Sequence, residues 1–214
     1  MKKHLWKIII AVIIIALGGA YLYAERAAEQ ANEGVTIETH VKGNPDAEVV
    51  LVEYSDFQCP ACAQFYPYIK NILDEHGENI RFEYRHFPLI NIHPHAVPAA
   101  RAAEAAGQQG KFFEMHDKLF ENQPEWSKSA APTVFFERYA NELGLDMALF
   151  KRHMNASVIT EAINDSFDDA RERGFTGTPS FLLNGEPMEF ATFDEFEQMI
   201  VEAAGGAPEE GTQE

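Results

Sequence analysis

Cysteine is the scarcest chemistry-bearing residue in this chain, with two among 214 residues. Two is too few for a disulfide scaffold, and no third or fourth Cys is available to complete a zinc site. Basic residues are also few, 17 against 34 acidic ones, for a formal net charge of −17. That balance excludes the basic footprint of a nucleic-acid partner and describes a soluble surface of like charges. Internal repeats and low-complexity tracts are absent between the two ends. With 46% hydrophobic residues, the length accommodates one domain of about 170 to 180 residues plus appendages.

The two cysteines stand three apart, in Phe57-Gln58-Cys59-Pro60-Ala61-Cys62. Val49 to Tyr54 before them is apolar and β-branched and predicts a strand; Ala63 to Glu75 after them predicts a helix. The pair therefore falls at a strand-to-helix junction. A thiol there faces unpaired backbone N–H groups and the positive end of the helix dipole, which lowers its pKa from about 8.5 into the range of roughly 3.5–7.5. Two other uses of the spacing stay open on the residues alone: an inert disulfide clip, or half of a metal site shared with a partner chain.

At the N-terminus, Lys2, Lys3 and Lys7 precede an uncharged run from Ile8 to Ala20 that continues through Tyr23. Counted from Leu5 to Ala24, it reaches the roughly 20 residues that cross a bilayer, with Trp6, Tyr21 and Tyr23 suited to the two interfaces. Residues 1–24 therefore read as a membrane anchor. Gly18-Gly19-Ala20 also fits a cleaved signal peptide. Both readings put Cys59 and Cys62 outside the cytoplasm, where disulfides persist.

Residues 25–34 are polar and Ala-rich, a helical or flexible stalk. Val35 to Thr39 alternates as a short strand, Gly43-Asn44-Pro45-Asp46 is a turn, and Ile80 to Phe87 is the strand that follows the first helix. Pro67 should kink that helix. From 93 to 173 the periodicity is helical, with helices expected over Ala96–Ala106, Lys111–Glu121, Pro132–Leu143, Met147–His153 and Ser157–Arg173. Ser180 to Asn184 predicts a strand, Asn184-Gly185 a hairpin turn, Pro187 to Phe190 its partner, and Thr192 to Ala204 a capped final helix. Residues 205–214 should be disordered.

The order β–β–α–β, helical block, β–β–α resembles that of the DsbA-like thiol:disulfide oxidoreductases, in particular their membrane-anchored or secreted bacterial members. The resemblance runs from about Asn44 to Ala204. It rests on Gly43-Asn44-Pro45-Asp46, Glu53 through Cys62, His86-Phe87-Pro88-Leu89, Gly110 through His116, and Gly177-Thr178-Pro179-Ser180-Phe181. It implies an α/β thioredoxin fold formed by residues 35–92 and 174–204, with 93–173 as a helical insertion.

By that resemblance Cys59 is the nucleophile and Cys62 the resolving thiol, while Glu53, six residues before Cys59, is the buried acid that relays the proton of Cys62. Pro179 is the cis-proline facing the pair, and Thr178 offers its backbone to an extended substrate. Pro60 and Ala61 tune the potential and, with Phe57 as an apolar rim residue, face the substrate. Without the resemblance, Glu53 could be a sheet-edge carboxylate in an ion pair, and Pro179 an ordinary trans proline before a strand. The histidines do not suggest a metal: only His93 and His95 are close, and Pro94 between them suits a turn.

The expected function is exchange of the Cys59–Cys62 disulfide with thiols of unfolded or reduced exported proteins, as an oxidase, with no cofactor beyond the disulfide itself. A membrane redox partner, a quinone-linked oxidase or an electron-transfer reductase, would close the cycle. The alternatives are a reductase or isomerase, and a non-catalytic thioredoxin-fold binding module. Ala61, where strong oxidases of the family carry His, and Thr178, where they often carry Val, leave the direction open. Substrates and oligomeric state are not legible.

Overall fold

A computed structural model describes residues 2–205. Helix α1 (Lys2–Asn32) is followed by β1 (His40–Gly43), β2 (Val49–Ser55), α2 (Pro60–His76) and β3 (Ile80–His86). Six helices come next: α3 (Ala96–Gly107), α4 (Phe112–Glu121), α5 (Gln123–Trp126), α6 (Thr133–Glu142), α7 (Met147–His153) and α8 (Ser157–Glu172). The chain closes with β4 (Ser180–Leu183), β5 (Glu186–Pro187) and α9 (Phe193–Ala203). The expectation for 205–214 lies, apart from Gly205, outside the described residues.

The sheet order is β1-β3-β2-β4-β5. β2 is central, parallel to β3 and antiparallel to β4. Its alternation divides two cores. Leu51 joins Cys62, Ile72, Phe82, Phe181, Phe196 and Ile200 on the face that carries α2 and α9. Val52 and Tyr54 join Phe87, Ala170 and Leu182 on the face that carries α8. The first of these cores continues without a break into the helical block through Ala99, Met115, Trp126, Phe136 and Phe150.

Three elements depart from the sequence reading. The first strand is His40–Gly43, not Val35–Thr39. Val35 packs instead against Ala100, Ala156, Ile159 and Ile163, and the Thr36 backbone N–H and C=O both pair with the side-chain amide of Gln108, at 2.8 and 2.9 Å. With its polar groups met by the helical block, that segment has no need of a sheet partner. β1 ends at Gly43, whose φ is +82° and where a Cβ would stand 2.3 Å from the Ile80 carbonyl oxygen, so a side chain is excluded. The partner of β4 is only Glu186–Pro187, across a tight turn with positive φ at both Asn184 and Gly185. The short α5 was not expected from periodicity, because four residues are too few to show one.

Helix α1 runs unbroken through the stalk, and its segment Ile9–Asn32 is long and apolar enough to cross a membrane. Its end is docked. Asn32 donates from Nδ2 to Ser157 Oγ at 3.0 Å, and its Oδ1 accepts the Val158 N–H at 3.3 Å. The N-cap residue of α8 is Ala156, which has no side-chain acceptor to offer, so Asn32 supplies the cap from another helix.

Candidate active site

β2 ends at Ser55, and a short loop delivers Cys59 as the N-cap of α2 with Pro60 at the first helical position, where a missing N–H costs nothing. Four side chains brace that loop. Asp56, fully buried, accepts from the Gln58 and Leu89 N–H groups at 2.7 and 2.9 Å and pairs with His93 Nδ1 at 2.7 Å. Gln58 accepts from the His95 N–H at 2.6 Å and donates to the Ser127 carbonyl at 2.9 Å. Gln123 on α5 donates from Nε2 to the carbonyls of Phe57 and Cys59 at 2.8 and 2.9 Å. None of these four was singled out as a site residue from the sequence. Asp56 had a legible signal, an acid two residues before the N–H it accepts, as in an Asx turn. His93 and Gln123 had none, because only the fold brings them to the loop.

Both cysteines are free thiols, 6% and 0% exposed respectively. The Cys62 thiol donates toward Cys59, and the backbone N–H groups of Cys62 and Ala61 point at the same sulfur; together they hold Cys59 down at about 5 despite its burial. Cys62 goes the other way. Burial, its donation to Cys59 and the nearby Glu53 carboxyl push it well above an ordinary thiol. One sulfur is thus a thiolate at neutral pH and the other a protonated thiol. Cys59 Sγ lies 3.4 Å from the Thr178 carbonyl oxygen, and the Thr178–Pro179 bond is cis.

Beneath the pair, Glu53 is buried on β2, and burial raises its carboxyl to about 8, with the Cys59 charge adding to the rise and the Ser55 hydroxyl opposing it. It is not an edge carboxylate: β2 has partners on both sides. Ser55 Oγ and Tyr84 Oη are buried beside Glu53 and Cys62 without a hydrogen-bond partner of normal geometry among the described residues. The acid also lines a narrow crevice shared with Lys42, Tyr66, Lys70, His116 and Asp117.

Phe57 requires a correction. It is 1% exposed and packs against Tyr84 and Phe120 at ring separations of 5.0 and 5.1 Å, so it is a core residue and no substrate rim. The loop after β3 instead exposes two large apolar side chains. Ile90 and Ile92 are 61% and 69% exposed, and the Leu89 and His93 contacts to Asp56 hold that loop against the segment leading to Cys59. Pro60 is exposed, and Ala61, Thr178 and Pro179 are half-buried.

A redox-spaced cysteine pair at the start of the helix that leaves the central strand, facing a cis proline, places the chain in the thioredoxin-fold class. The chain belongs to the thioredoxin family, whose model matches residues 35–202. A thioredoxin-like oxidoreductase from Silicibacter pomeroyi is 32% identical with a TM-score of 0.65, covering 79% of this chain and 94% of that one. BdbD from Bacillus subtilis superposes with a TM-score of 0.66 at 23% identity over 78% of this chain and 94% of that one, and alpha-DsbA1 from Wolbachia pipientis with 0.66 at 21% over 79% and 92%. These two show the fold. Among curated proteins, the chain is 39% identical over 151 residues to a Na(+)/H(+) antiporter NhaA 1 from Mycobacterium sp. (strain KMS), matching 69% of this chain and 24% of that protein. The chain thus spans about a quarter of the length of the curated relatives it matches.

Proposed function

We propose that this protein is an extracytoplasmic thiol:disulfide oxidoreductase, anchored by residues 5–24, that donates its Cys59–Cys62 disulfide to thiols of exported proteins. The observation that carries the reading is the placement of the pair, Cys59 at the N-cap of α2 against the cis Thr178–Pro179 bond and Cys62 fully buried behind it, an arrangement that displaces the two thiols in opposite directions, Cys59 down and Cys62 up. A low-pKa sulfur is a good leaving group, and its stabilised thiolate favours the reduced protein, which makes the disulfide oxidising.

In the donating direction a substrate thiolate attacks Cys59 Sγ, forming the mixed disulfide and breaking the Cys59–Cys62 bond. The electron pair passes to Cys62 Sγ, which takes a proton from the Glu53 carboxyl. A second substrate thiol, as its thiolate, attacks the substrate sulfur of the mixed disulfide, and Cys59 leaves as a thiolate. The substrate has lost two electrons to the protein and two protons to solvent, and the protein is left with the Cys59 thiolate, the protonated Cys62 thiol and a Glu53 carboxylate that regains its proton from solvent. Ile90 and Ile92 offer apolar contact to an unfolded chain beside Cys59. A quinone-linked membrane oxidase returns the pair to the disulfide. A reductase would instead draw electrons from a membrane electron-transfer protein.

Oxidation of a reduced, unfolded protein by the pre-oxidised chain tests the reading. Cys59→Ser should abolish the reaction. Full activity in that variant would sink the catalytic reading and favour a thioredoxin-fold binding module.

A further inference from the structure

We propose that His116 is a positioning residue for the proton that Cys62 exchanges: it takes protons from Glu53, and returns them, across a space of one water molecule. The inference rests on the reading of Cys59 and Cys62 as a redox couple and extends it beyond Glu53.

His116 lies on α4 and is 6% exposed. Its Nδ1 pairs with Asp117 Oδ1 at 2.9 Å, while its Nε2 is buried with no partner among the described residues. Beside a carboxylate, Nδ1 carries the proton and donates it, which leaves Nε2 as a free, basic lone pair. Such an orphaned atom in a core needs an explanation. Packing alone does not supply one: the imidazole is met by the rings of Tyr84 at 5.0 Å and Phe120 at 4.9 Å, surroundings that a phenyl ring would fill without an unpaired nitrogen.

The crevice supplies the explanation. Glu53 and His116 both line it, together with Lys42, Tyr66, Lys70 and Asp117, and its space of about 10 Å³ is about what one water needs. The outer end is polar: Lys42 Nζ stands 3.7 Å from Asp117 Oδ2, and Lys70 Nζ 3.6 Å from Glu121. The ionisable groups facing His116 are therefore Asp117 on its own helix, Lys42 on β1, Glu53 on β2, Tyr84 and His86 on β3, and Tyr66 and Lys70 on α2. Burial keeps the imidazole below its usual range, hence neutral and able to accept at pH 7.

The step balances without any redox reagent beyond those of thiol exchange. When Cys62 leaves as a thiolate it takes the Glu53 proton. The Glu53 carboxylate is then reprotonated through the bridging water: Nε2, unprotonated at rest, accepts a proton entering from solvent by the outer end of the crevice and hands it to that water as the water gives one to Glu53. Reoxidation runs the same transfers backwards.

The test uses the full chain in detergent, measuring the reduction of the Cys59–Cys62 disulfide by dithiothreitol, normalised to its thiolate, from pH 6 to 8. His116→Asn keeps a donor for Asp117 and removes the basic nitrogen; its rate should fall about tenfold. The double variant with Glu53→Gln should be no slower than Glu53→Gln alone, because His116 acts only through Glu53. Unchanged rates in His116→Asn, or losses that multiply in the double variant, overturn the proposal. His116→Gln, also without a basic nitrogen, must be as slow as His116→Asn, and a wild-type rate there overturns it as well. The unsubstituted chain should show a solvent deuterium isotope effect, and its absence counts against the relay. A wild-type chain whose disulfide dithiothreitol fails to reduce would instead overturn the functional reading itself.

Discussion

Replacing Glu53 by Gln should stabilise the reduced protein at neutral pH and leave it unchanged in acid. Glu53 is raised from 4.5 to about 8, chiefly by burial. Below pH 4.5 the carboxyl is protonated in both the folded and the unfolded chain, and burial carries no ionisation penalty. Between 4.5 and 8 the unfolded chain ionises it while the folded chain holds it neutral, so stability falls as pH rises. At about 1.4 kcal/mol for each tenfold step in proton activity, the span from 4.5 to pH 7 amounts to about 3 kcal/mol. Gln has the same shape and no charge, so Glu53→Gln should recover that amount at pH 7, a rise in melting temperature of roughly 6 to 12 °C for a domain of this size. Urea titration in detergent at pH 4.5 and pH 7, followed by fluorescence of the fully buried Trp126, reads the difference. A gain that is the same at both pH values, or no gain at pH 7, would refute the raised carboxyl.

Three further outcomes are expected. Absorbance of the reduced protein at 240 nm should show one thiolate titrating near pH 5, absent in Cys59→Ser and moved upward in Cys62→Ala, which removes the donor to Cys59; a midpoint near 8.5 in the unsubstituted chain contradicts the geometry. Asn32→Ala should cost about 1 kcal/mol by uncapping α8, with Asn32→Asp retaining most of the stability, so a neutral Asn32→Ala would mean that the end of α1 is not docked. Ile90→Asp combined with Ile92→Asp should lower kcat/KM for an unfolded protein about tenfold and leave the rate with dithiothreitol unchanged, whereas equal loss with both would remove these residues from substrate contact.

Local chemistry was legible wherever one segment carries its own signal. The Cys-x-x-Cys spacing, the apolar run of β2, the Asn184-Gly185 turn and the Thr192 cap, whose Oγ1 accepts the Glu195 N–H at 3.1 Å, each specify structure within a few residues. Glu53 stood out as a lone charge on an apolar strand. What was not legible depends on distant parts of the chain. Val35–Thr39 alternates like a strand, but α3 and α8 offer it better partners than the sheet does. Phe57 is an aromatic beside the motif, and only the fold decides that it faces Tyr84 and Phe120 rather than solvent. Gln123 reaches Cys59 across 64 residues of sequence, a separation no local pattern reports. His116 carries no local signal of a role, because its second nitrogen has meaning only once Glu53 lies across the same crevice.

The reduction potential of the Cys59/Cys62 couple, equilibrated against glutathione, tests the central claim most directly. Interpolating between a thiol pKa of about 7 at −270 mV in thioredoxin and about 3.5 at −120 mV in DsbA, a Cys59 thiol near 5 corresponds to roughly −180 mV. A reversible two-electron couple near that value is the expected result for a disulfide donor. A potential at or below about −270 mV, or no reversible couple at all, would contradict it.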